Sequence, residues 1–319
     1  MFLKEKHRDE FHSSGISEDT INRYVTQGYF QSVEDIQHFV KEKNLKISSQ
    51  VGGSGWIMFY PNSNYYIFKA DNPRCDNKGK PIKYETPYET QTDLFYPIDF
   101  DINKDKVIIT EGIKKAIKAV QEGYNTVSVS GCWNWKSKST EDGINENFKK
   151  LVEMLKQASH TEVYLCYDND LMFKPQVRQA LIALSDYLLN NDILCKIIYL
   201  PYNKGQKLGL DDYLAKDNAN LDKLIEKAMP LPETLISYVL KGRKLNIGKA
   251  MLVDIEKFGE KLKNELQYLP EKYFEVNKEV YLYYRQKEKK YIIKKTNFSF
   301  EVVEKIITIR QEVENEKDI

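Results

Sequence analysis

The segments VIITEG at residues 107–112 and EVYLCYDND at residues 162–170 decide the fold of this chain. Each reads as a short apolar strand that ends in carboxylates, Glu111 in the first and Asp168 with Asp170 in the second. The carboxyl ends of parallel strands meet at one edge of an open sheet, and that edge is where such folds build their sites. The two segments therefore predict a parallel sheet with three carboxylates converging at one edge.

Residues 105–200 alternate between strand and helix patterns. In the first helix, positions 113, 116, 117 and 120 are apolar, which is the spacing of a helix packed on a sheet. Strands separated by helices imply a parallel α/β sheet. The predicted strands are KVIIT (106–110), TVSVS (126–130), EVYLCY (162–167) and LCKIIYL (194–200), and the predicted helices span 113–122, 145–158 and 175–190.

The carboxylates at this edge suggest a metal site. Asp168 and Asp170 have the period-two spacing that turns both side chains one way if the strand continues through them. Two adjacent carboxylates repel each other unless a cation neutralises them, and Mg²⁺ takes hard oxygen ligands. The alternative is a polar strand-to-loop turn, for which Asp-Asn-Asp is suitable.

Gly112 suits a tight turn into the next helix, whose positive end favours an ionised Glu111.

A third polar motif, KLGLDDYL at residues 207–214, follows the fourth strand. It places Asp211 and Asp212 near the same sheet edge, where they can extend the acidic site. Lys207 can touch a phosphate there. The alternative is that one of the two aspartates caps the short helix that follows. Both interpretations can hold together.

Residues 13–43 predict two short helices. Ser17 can cap the first, which ends near Gly28, and Ser32 with Asp35 resembles a capping box for the second. Two capped helices are usually a packing unit, and helix–turn–helix DNA binding is the alternative.

A hairpin and a basic loop are expected next. GWIMFYP (55–61) and NYYIFKA (64–70) are separated by Asn62-Ser63, a hairpin turn. The polar stretch after them is either a solvated hairpin or a basic, aromatic-flanked surface that meets phosphates near the carboxylates. Its candidate nucleotide-binding or nucleic-acid-binding residues are Lys69, Arg74, Lys80, Lys83 and Tyr84.

Composition limits the partners. The 319 residues include 48 Lys+Arg against 47 Asp+Glu, a net charge of +1, so any nucleic-acid surface must be local. No apolar run approaches the roughly 18 residues of a membrane span, and the start lacks the apolar core of a signal peptide. We therefore expect a cytoplasmic protein with no membrane partner. Four dispersed cysteines without a CxxC pair argue against a zinc site or a disulfide framework.

Beyond residue 216 the pattern becomes helical and basic. Helices are expected near 233–241 and 249–267, then a hairpin of YLYYRQ and KKYIIKK, then a final helix near 299–314. These elements can form a small winged-helix-like module or begin a further domain. The predicted domains are an N-terminal helical and β-hairpin extension (1–100), an α/β catalytic-type domain (101–217) and a C-terminal helical basic module (218–319).

The motifs TEGIKKAIKA, CYDND and KLGLDDYLA, in this order and at these distances, resemble a Toprim domain. That catalytic fold, a Rossmann-like parallel sheet, is shared by bacterial-type primases, topoisomerases and some nucleases. The upstream segments SGISEDTI, GYF and KPIKY, with VSGCWNW, are similar to Toprim-like proteins of phages, plasmids and integrated elements, which often work with superfamily-3-type replicative helicases. The resemblance covers about residues 7–216.

The resemblance implies a role for each matched residue. The implied metal ligands are Glu111, which can also be general acid/base, the DxD pair Asp168 and Asp170, and Asp211 or Asp212 in the same pocket. The implied phosphate or template contacts are Lys114, Lys115 and Lys207. Met172 stands where topoisomerases have a third aspartate, which disfavours that activity. The cofactor implied is Mg²⁺ or Mn²⁺.

Trp133 and Trp135 in GCWNW follow the second strand, again at the carboxylate edge. They can stack on a base or nucleotide, an interaction that contributes about 1–3 kcal/mol where it occurs. The alternative is that they close the core beside the site.

These inferences lead to a primase-type nucleotidyltransferase of a mobile element as the first hypothesis. Its partners would be single-stranded DNA, nucleoside triphosphates and a superfamily-3-type helicase. A Toprim nuclease that uses the same carboxylates is the second hypothesis. A non-catalytic DNA- or helicase-binding replication factor is the third.

Overall fold

The computed structural model describes residues 2–61, 63–158, 162–172, 174–201, 206–231 and 234, and the strands at 273–276, 279–286, 289–295 and 300–306. The helices are α1 (Glu5–His12), α2 (Glu18–Thr26), α3 (Ile36–Glu42), α4 (Ile113–Gln121), α5 (Glu146–Gln157), α6 (Pro175–Asn190), α7 (Leu210–Leu214) and α8 (Leu221–Glu226). The strands are β1 (Phe30–Val33), β2 (Gly55–Phe59), β3 (Tyr66–Ala70), β4 (Lys106–Glu111), β5 (Thr126–Val129), β6 (Glu162–Cys166), β7 (Cys195–Ile197), β8 (Tyr273–Val276), β9 (Glu279–Gln286), β10 (Lys289–Lys295) and β11 (Phe300–Ile306).

Contacts divide the chain into two compact units. The first contains Met1–Leu184 and Asn191–Ala228, and the second contains Ser185–Asn190 and Met229–Ile319. No helix in the described part of the chain has both the length and the apolar character needed to cross a bilayer.

The first unit begins with an antiparallel sheet in the order β1-β2-β3. The predicted hairpin is confirmed, because β2 pairs with β3 from Gly55 opposite Ala70 to Phe59 opposite Tyr66. Ser17 caps α2 as predicted, accepting the Thr20 N–H at 3.2 Å. Before β2, the elements α1 and β1 were not predicted from the sequence.

The predicted capping box at Ser32 is wrong. Ser32 lies in β1, where its hydroxyl oxygen accepts the Lys4 N–H at 2.8 Å. Asp35 is itself the N-cap of α3, and its carboxylate accepts the N–H groups of Gln37 and His38. Because Ser32 is held in β1 by pairing with β2, helix α3 begins three residues later than the capping-box pattern indicates.

The antiparallel sheet and the α/β core share one hydrophobic cluster. Phe11, Phe30 and Trp56 pack with ring centroids 4.4–5.4 Å apart. Ile113 and Ile117 of α4 belong to the same cluster. The N-terminal segment therefore packs directly on the helix that follows β4.

The core of the first unit is a parallel four-stranded sheet in a Rossmann-like arrangement, with strand order β5-β4-β6-β7. The α/β class and the alternation of 105–200 are thus confirmed, and the ends of the elements differ from prediction by three residues at most. The chain leaves β4 toward β5 and then returns past β4 to β6. This reversal makes the carboxyl ends of β4 and β6 the topological switch point, where open α/β sheets place ligands.

In the second unit, the described strands form an antiparallel sheet in the order β11-β10-β9-β8. The predicted hairpin is confirmed as β9 and β10. The predicted helix near 299–314 is wrong for residues 300–306, which form β11 paired with β10. The sequence FEVVEKI contains two valines and one isoleucine, and such β-branched residues favour strands. The helices predicted at 233–241 and 249–267 lie outside the described residues, Thr234 apart.

Candidate functional site

Glu111 is the last residue of β4, at the switch point of the parallel sheet. Gly112 follows with a φ of 97°, a conformation that favours glycine, and is the N-cap of α4, so the predicted tight turn is confirmed. Burial raises the pKa of the Glu111 carboxyl. The carboxylates of Asp168 and Asp170 raise it further, and two nearby lysines oppose them.

The side chains of Asp168 and Asp170 are only 4% and 5% exposed. The strand does not continue through both residues, because β6 ends at Cys166 and Asn169–Met172 form a 3₁₀ turn. The two carboxylates nevertheless reach a common cation. Lys207 Nζ lies 2.8 Å from Asp168 Oδ2 and 3.7 Å from Asp170 Oδ2.

Two further lysines hold this pair of carboxylates. Lys115 Nζ lies 2.5 Å from Asp168 Oδ1, and Lys174 Nζ lies 2.7 Å from Asp170 Oδ2. Burial acts to lower the pKa of Lys207, but its hydrogen bond to Asp168 and the surrounding carboxylates outweigh burial and raise that pKa. Each buried carboxylate therefore has ammonium partners, as buried charges require.

Asn169, between the two aspartates, anchors the loop that carries Lys207. Its side-chain amide donates to Pro201 O and Gln206 O, both at 3.1 Å, and its Oδ1 accepts the Leu208 N–H at 2.8 Å. Its own N–H donates to Leu208 O at 3.0 Å. In the sequence this residue shows only turn chemistry, because its partners lie 32 to 39 residues away and leave no local signal.

Gly209 lies against the carboxylates at the start of α7, a position that was not predicted from the sequence. A Cβ atom here would stand 2.6 Å from Asp211 Oδ1, 2.8 Å from Lys115 Cε and 3.3 Å from Asp168 Oδ1. Gly209 is the N-cap position, so neither aspartate is the cap residue itself. Instead, Asp212 Oδ2 reaches back to accept the Gly209 N–H at 3.0 Å.

A cavity of about 730 Å³ in the first unit brings the acidic and basic residues together. Its acidic wall contains Glu111, Asp168, Asp211 and Asp212, and its basic wall contains Lys83, Lys114, Lys115 and Lys207 beside Tyr84. Asp170 is not in the cavity wall, although Lys207 links it to that wall.

Lys83 in the basic wall has several other lysines near it. Burial lowers the pKa of its ammonium group, and the like charges of Lys114, Lys69 and Lys115 act in the same direction. Its Nζ lies 5.1 Å from the ring centroid of Tyr84. Within the described residues no ion pair joins Lys83 to a carboxylate, so an anionic ligand would relieve the repulsion.

Three predicted basic residues lie outside the cavity wall. Lys69 Nζ pairs with Glu10 Oε2 at 2.7 Å, and Arg74 pairs with Glu85 through Nε at 2.7 Å and Nη2 at 3.0 Å. Lys80 is exposed in its loop. For Arg74 and Lys80 the geometry favours the solvated-hairpin alternative.

The two tryptophans of GCWNW have different environments. Trp135 is 1% exposed and packs against Phe148 with ring centroids 6.0 Å apart, which favours the core-packing alternative. Trp133 is 39% exposed, and Lys136 Nζ lies 4.9 Å from its ring centroid. Neither ring lines the cavity, so base stacking by Trp133 stays a prediction.

The donor chemistry of the acidic wall fits a divalent cation, since carboxylate oxygens are the ligands that Mg²⁺ and Mn²⁺ take. As they stand, the oxygens of Asp168 and Asp170 face lysine ammonium groups. Among the described residues, no group of three or more His, Cys, Asp or Glu side chains is already arranged to hold a metal ion.

Residues 100–221 match the sequence model of a family described as a domain of unknown function, DUF3854. The matched range contains the parallel sheet, both strand-end carboxylate motifs and the loop from Lys207 to Asp212. No curated protein and no solved structure matched the chain. The region of similarity thus coincides with the Rossmann-like sheet and the acidic wall of the cavity.

Proposed function

We propose that this chain is a Toprim-type, primase-like replication protein that makes primers on single-stranded DNA by metal-dependent nucleotidyl transfer. The observation that carries the proposal is the cavity at the switch point, where carboxylates and lysines meet in one space. The order of the three Toprim-like motifs supports it, because Glu111, Asp168 and Asp211 come from those separate motifs and line the same cavity.

Glu111, Asp168 and Asp170, with Asp211 beside them, would hold the Mg²⁺ or Mn²⁺ ion. When bound, the ion neutralises triphosphate charge and activates the attacking hydroxyl. Asp212 contributes less directly, because one of its oxygens already accepts the Gly209 N–H. Lys115 positions Asp168 through their ion pair.

The basic wall supports a substrate with several phosphates. Lys83 and Lys114 line the cavity together with the carboxylates. A lysine ammonium group binds phosphate as a point charge, and a half-buried one binds it more strongly than a solvated one. The same cavity can therefore receive a nucleoside triphosphate on its basic wall while the carboxylates face the reacting phosphorus. The proposal also includes a superfamily-3-type helicase as the partner of this chain, and it places the replication reaction in the cytoplasm.

The test is primer synthesis on single-stranded DNA with Mg²⁺ or Mn²⁺ and labelled ribo- and deoxyribonucleotides. Wild type is compared with the double variant Asp168→Asn/Asp170→Asn and with Glu111→Gln. Asp76→Asn is the matched control, because Asp76 is an exposed carboxylate outside the cavity. We expect labelled oligomers from wild type and the control, and a loss of at least about a hundredfold in the other two, since metal ligands and proton-transfer groups each contribute that much or more.

Other results would point to the alternative functions. Degradation of the template without synthesis, lost in the same variants, would indicate a nuclease. Equal synthesis by the double variant would contradict the metal site. DNA binding without any chemistry, with and without a helicase partner, would indicate a scaffold.

A further inference from the structure

Lys207 differs from the other two lysines at the carboxylate pair because it contacts both aspartates. Lys115 reaches only Asp168, and Lys174 reaches only Asp170. Lys207 Nζ lies 2.8 Å from one carboxylate and 3.7 Å from the other, so its positive charge stands between them. That is the place a cation must take to neutralise two adjacent carboxylates.

The side chain of Lys207 can leave this position without a change in the backbone. Its side chain is 61% exposed, while that of Lys115 is 17% exposed. The backbone beside it is fixed, because Asn169 holds Gln206 and Leu208 through three hydrogen bonds of 2.8–3.1 Å. A long side chain on an anchored loop can therefore exchange between the carboxylates and the solvent-filled cavity.

We propose that Lys207 is a tethered counter-ion, which occupies the bridging position of Asp168 and Asp170 and competes there with a divalent cation. The inference rests on the proposed function, because it takes the two aspartates as metal ligands. Lys207 keeps the metal-free pair of carboxylates neutralised. Metal binding then requires its ammonium group to move into the cavity, where a phosphate of the substrate is an available partner.

The size of the competition depends on the fraction of time for which Lys207 holds the bridging position. If the bridged arrangement is held nine-tenths of the time, the metal-competent arrangement is present one-tenth of the time, and the apparent affinity for metal is reduced about tenfold. Removing the ammonium group removes this reduction. A lysine that contacts only one carboxylate lacks this effect, since it does not occupy the bridging position.

The experiment measures Mn²⁺ binding to the full chain by electron paramagnetic resonance and by titration calorimetry, without substrate. The variants are Lys207→Gln and, as the matched control, Lys174→Gln, which removes the same charge from the same carboxylate pair. We expect Lys207→Gln to bind Mn²⁺ roughly tenfold more tightly than wild type, and Lys174→Gln to change the affinity less than about threefold. Thermal melts should show a larger Mn²⁺-induced rise in Tm for Lys207→Gln.

Each result separates the inference from the proposed function. An equal gain in Mn²⁺ affinity in the two variants would show that the loss of either lysine charge has the same effect. That result would overturn the proposal that Lys207 is a tethered counter-ion. Binding by wild type with no gain in Lys207→Gln would also overturn it, while leaving the metal site intact. Absence of Mn²⁺ binding in all three proteins would overturn the metal site and the inference with it. Asp168→Asn/Asp170→Asn should lose binding, which locates the ion.

Discussion

Two carboxylates in the first unit, the part-buried Asp71 and the buried Asp168, are held by different kinds of partner. Asp71, at the end of the antiparallel sheet, accepts hydrogen bonds from Ser54 Oγ at 2.6 Å and His7 Nε2 at 2.9 Å, and pairs with Lys6. Asp168, at the edge of the parallel sheet, is held by two lysine ammonium groups. The first network combines one lysine with two short donors, Ser54 and His7, whereas the second uses only lysine side chains that end in a cavity.

The difference indicates which carboxylate can exchange its partners. A serine hydroxyl or an imidazole placed by a strand or helix stays with its acceptor, and its loss leaves a buried polar group unpaired. An ammonium group on a four-carbon stem can be replaced by another cation at little structural cost. We therefore interpret the Asp71 network as structural and the Asp168 network as a binding site.

The largest effect is expected at Gly55, which starts the strand beside Ser54. A Cβ atom there would lie 2.1 Å from Lys69 O and 2.8 Å from the Phe68 ring, so β2 and β3 must separate. Gly55→Ala should lower the free energy of unfolding by about 3 kcal/mol, at the upper end of overpacking costs. Gly52→Ala is the control for chemical denaturation, since its Cβ meets nothing within 4 Å. A loss of stability below about 1 kcal/mol would show that β2 and β3 separate easily. That result would contradict the view that the Asp71 network is held on fixed elements.

The next largest loss of stability is expected for Asp71→Asn. Burial opposes ionisation of Asp71, but the hydrogen bonds from Lys6, Ser54 and His7 outweigh it and hold its pKa well below the usual range. Because the folded-state pKa lies below the unfolded value of about 3.9, this stabilisation is fully present above that pH and is lost as the pH falls toward the folded-state pKa. We expect Asp71→Asn to cost about 2 kcal/mol at pH 7 and far less near pH 2.

The measurement is urea unfolding at both pH values, with Asp168→Asn as the counterpart from the other network. Asp168→Asn should cost less than Asp71→Asn at pH 7, because the side chain of Lys207 is 61% exposed and can return to solvent when the carboxylate charge is lost. Similar losses for Asp71→Asn and Asp168→Asn would remove the distinction between structural and exchangeable networks.

Gly209→Ala should have the smallest effect on stability and a clear effect on binding. The added Cβ meets Asp211 Oδ1, Lys115 Cε and Asp168 Oδ1, which are side-chain atoms that can shift. We expect less than about 1 kcal/mol of lost stability, with Mn²⁺ affinity weakened about tenfold as the acidic wall is displaced. Parallel melts and Mn²⁺ titrations check this. Unchanged metal affinity would show that the acidic wall does not hold the ion.

The sequence predicted what is encoded locally. The strands and helices of 105–200 follow apolar patterns with clear periods, and their ends were predicted to within three residues. Distant contacts could not be read in the same way. Trp133 and Trp135 share a local context, yet only Trp135 is buried, because Phe148 packs on it. Helix α1, EKHRDEFH, has little apolar pattern, since only His7 and Phe11 are buried.

The cavity also has a consequence for the order of folding. Its walls extend along the chain from Ser13 to Asp212, so about two hundred residues must leave the ribosome before the last wall exists. A nascent chain that ends before Lys207 presents Asp168 and Asp170 without their bridging partner. Contacts over such sequence separations slow folding, so the complete cavity should form late.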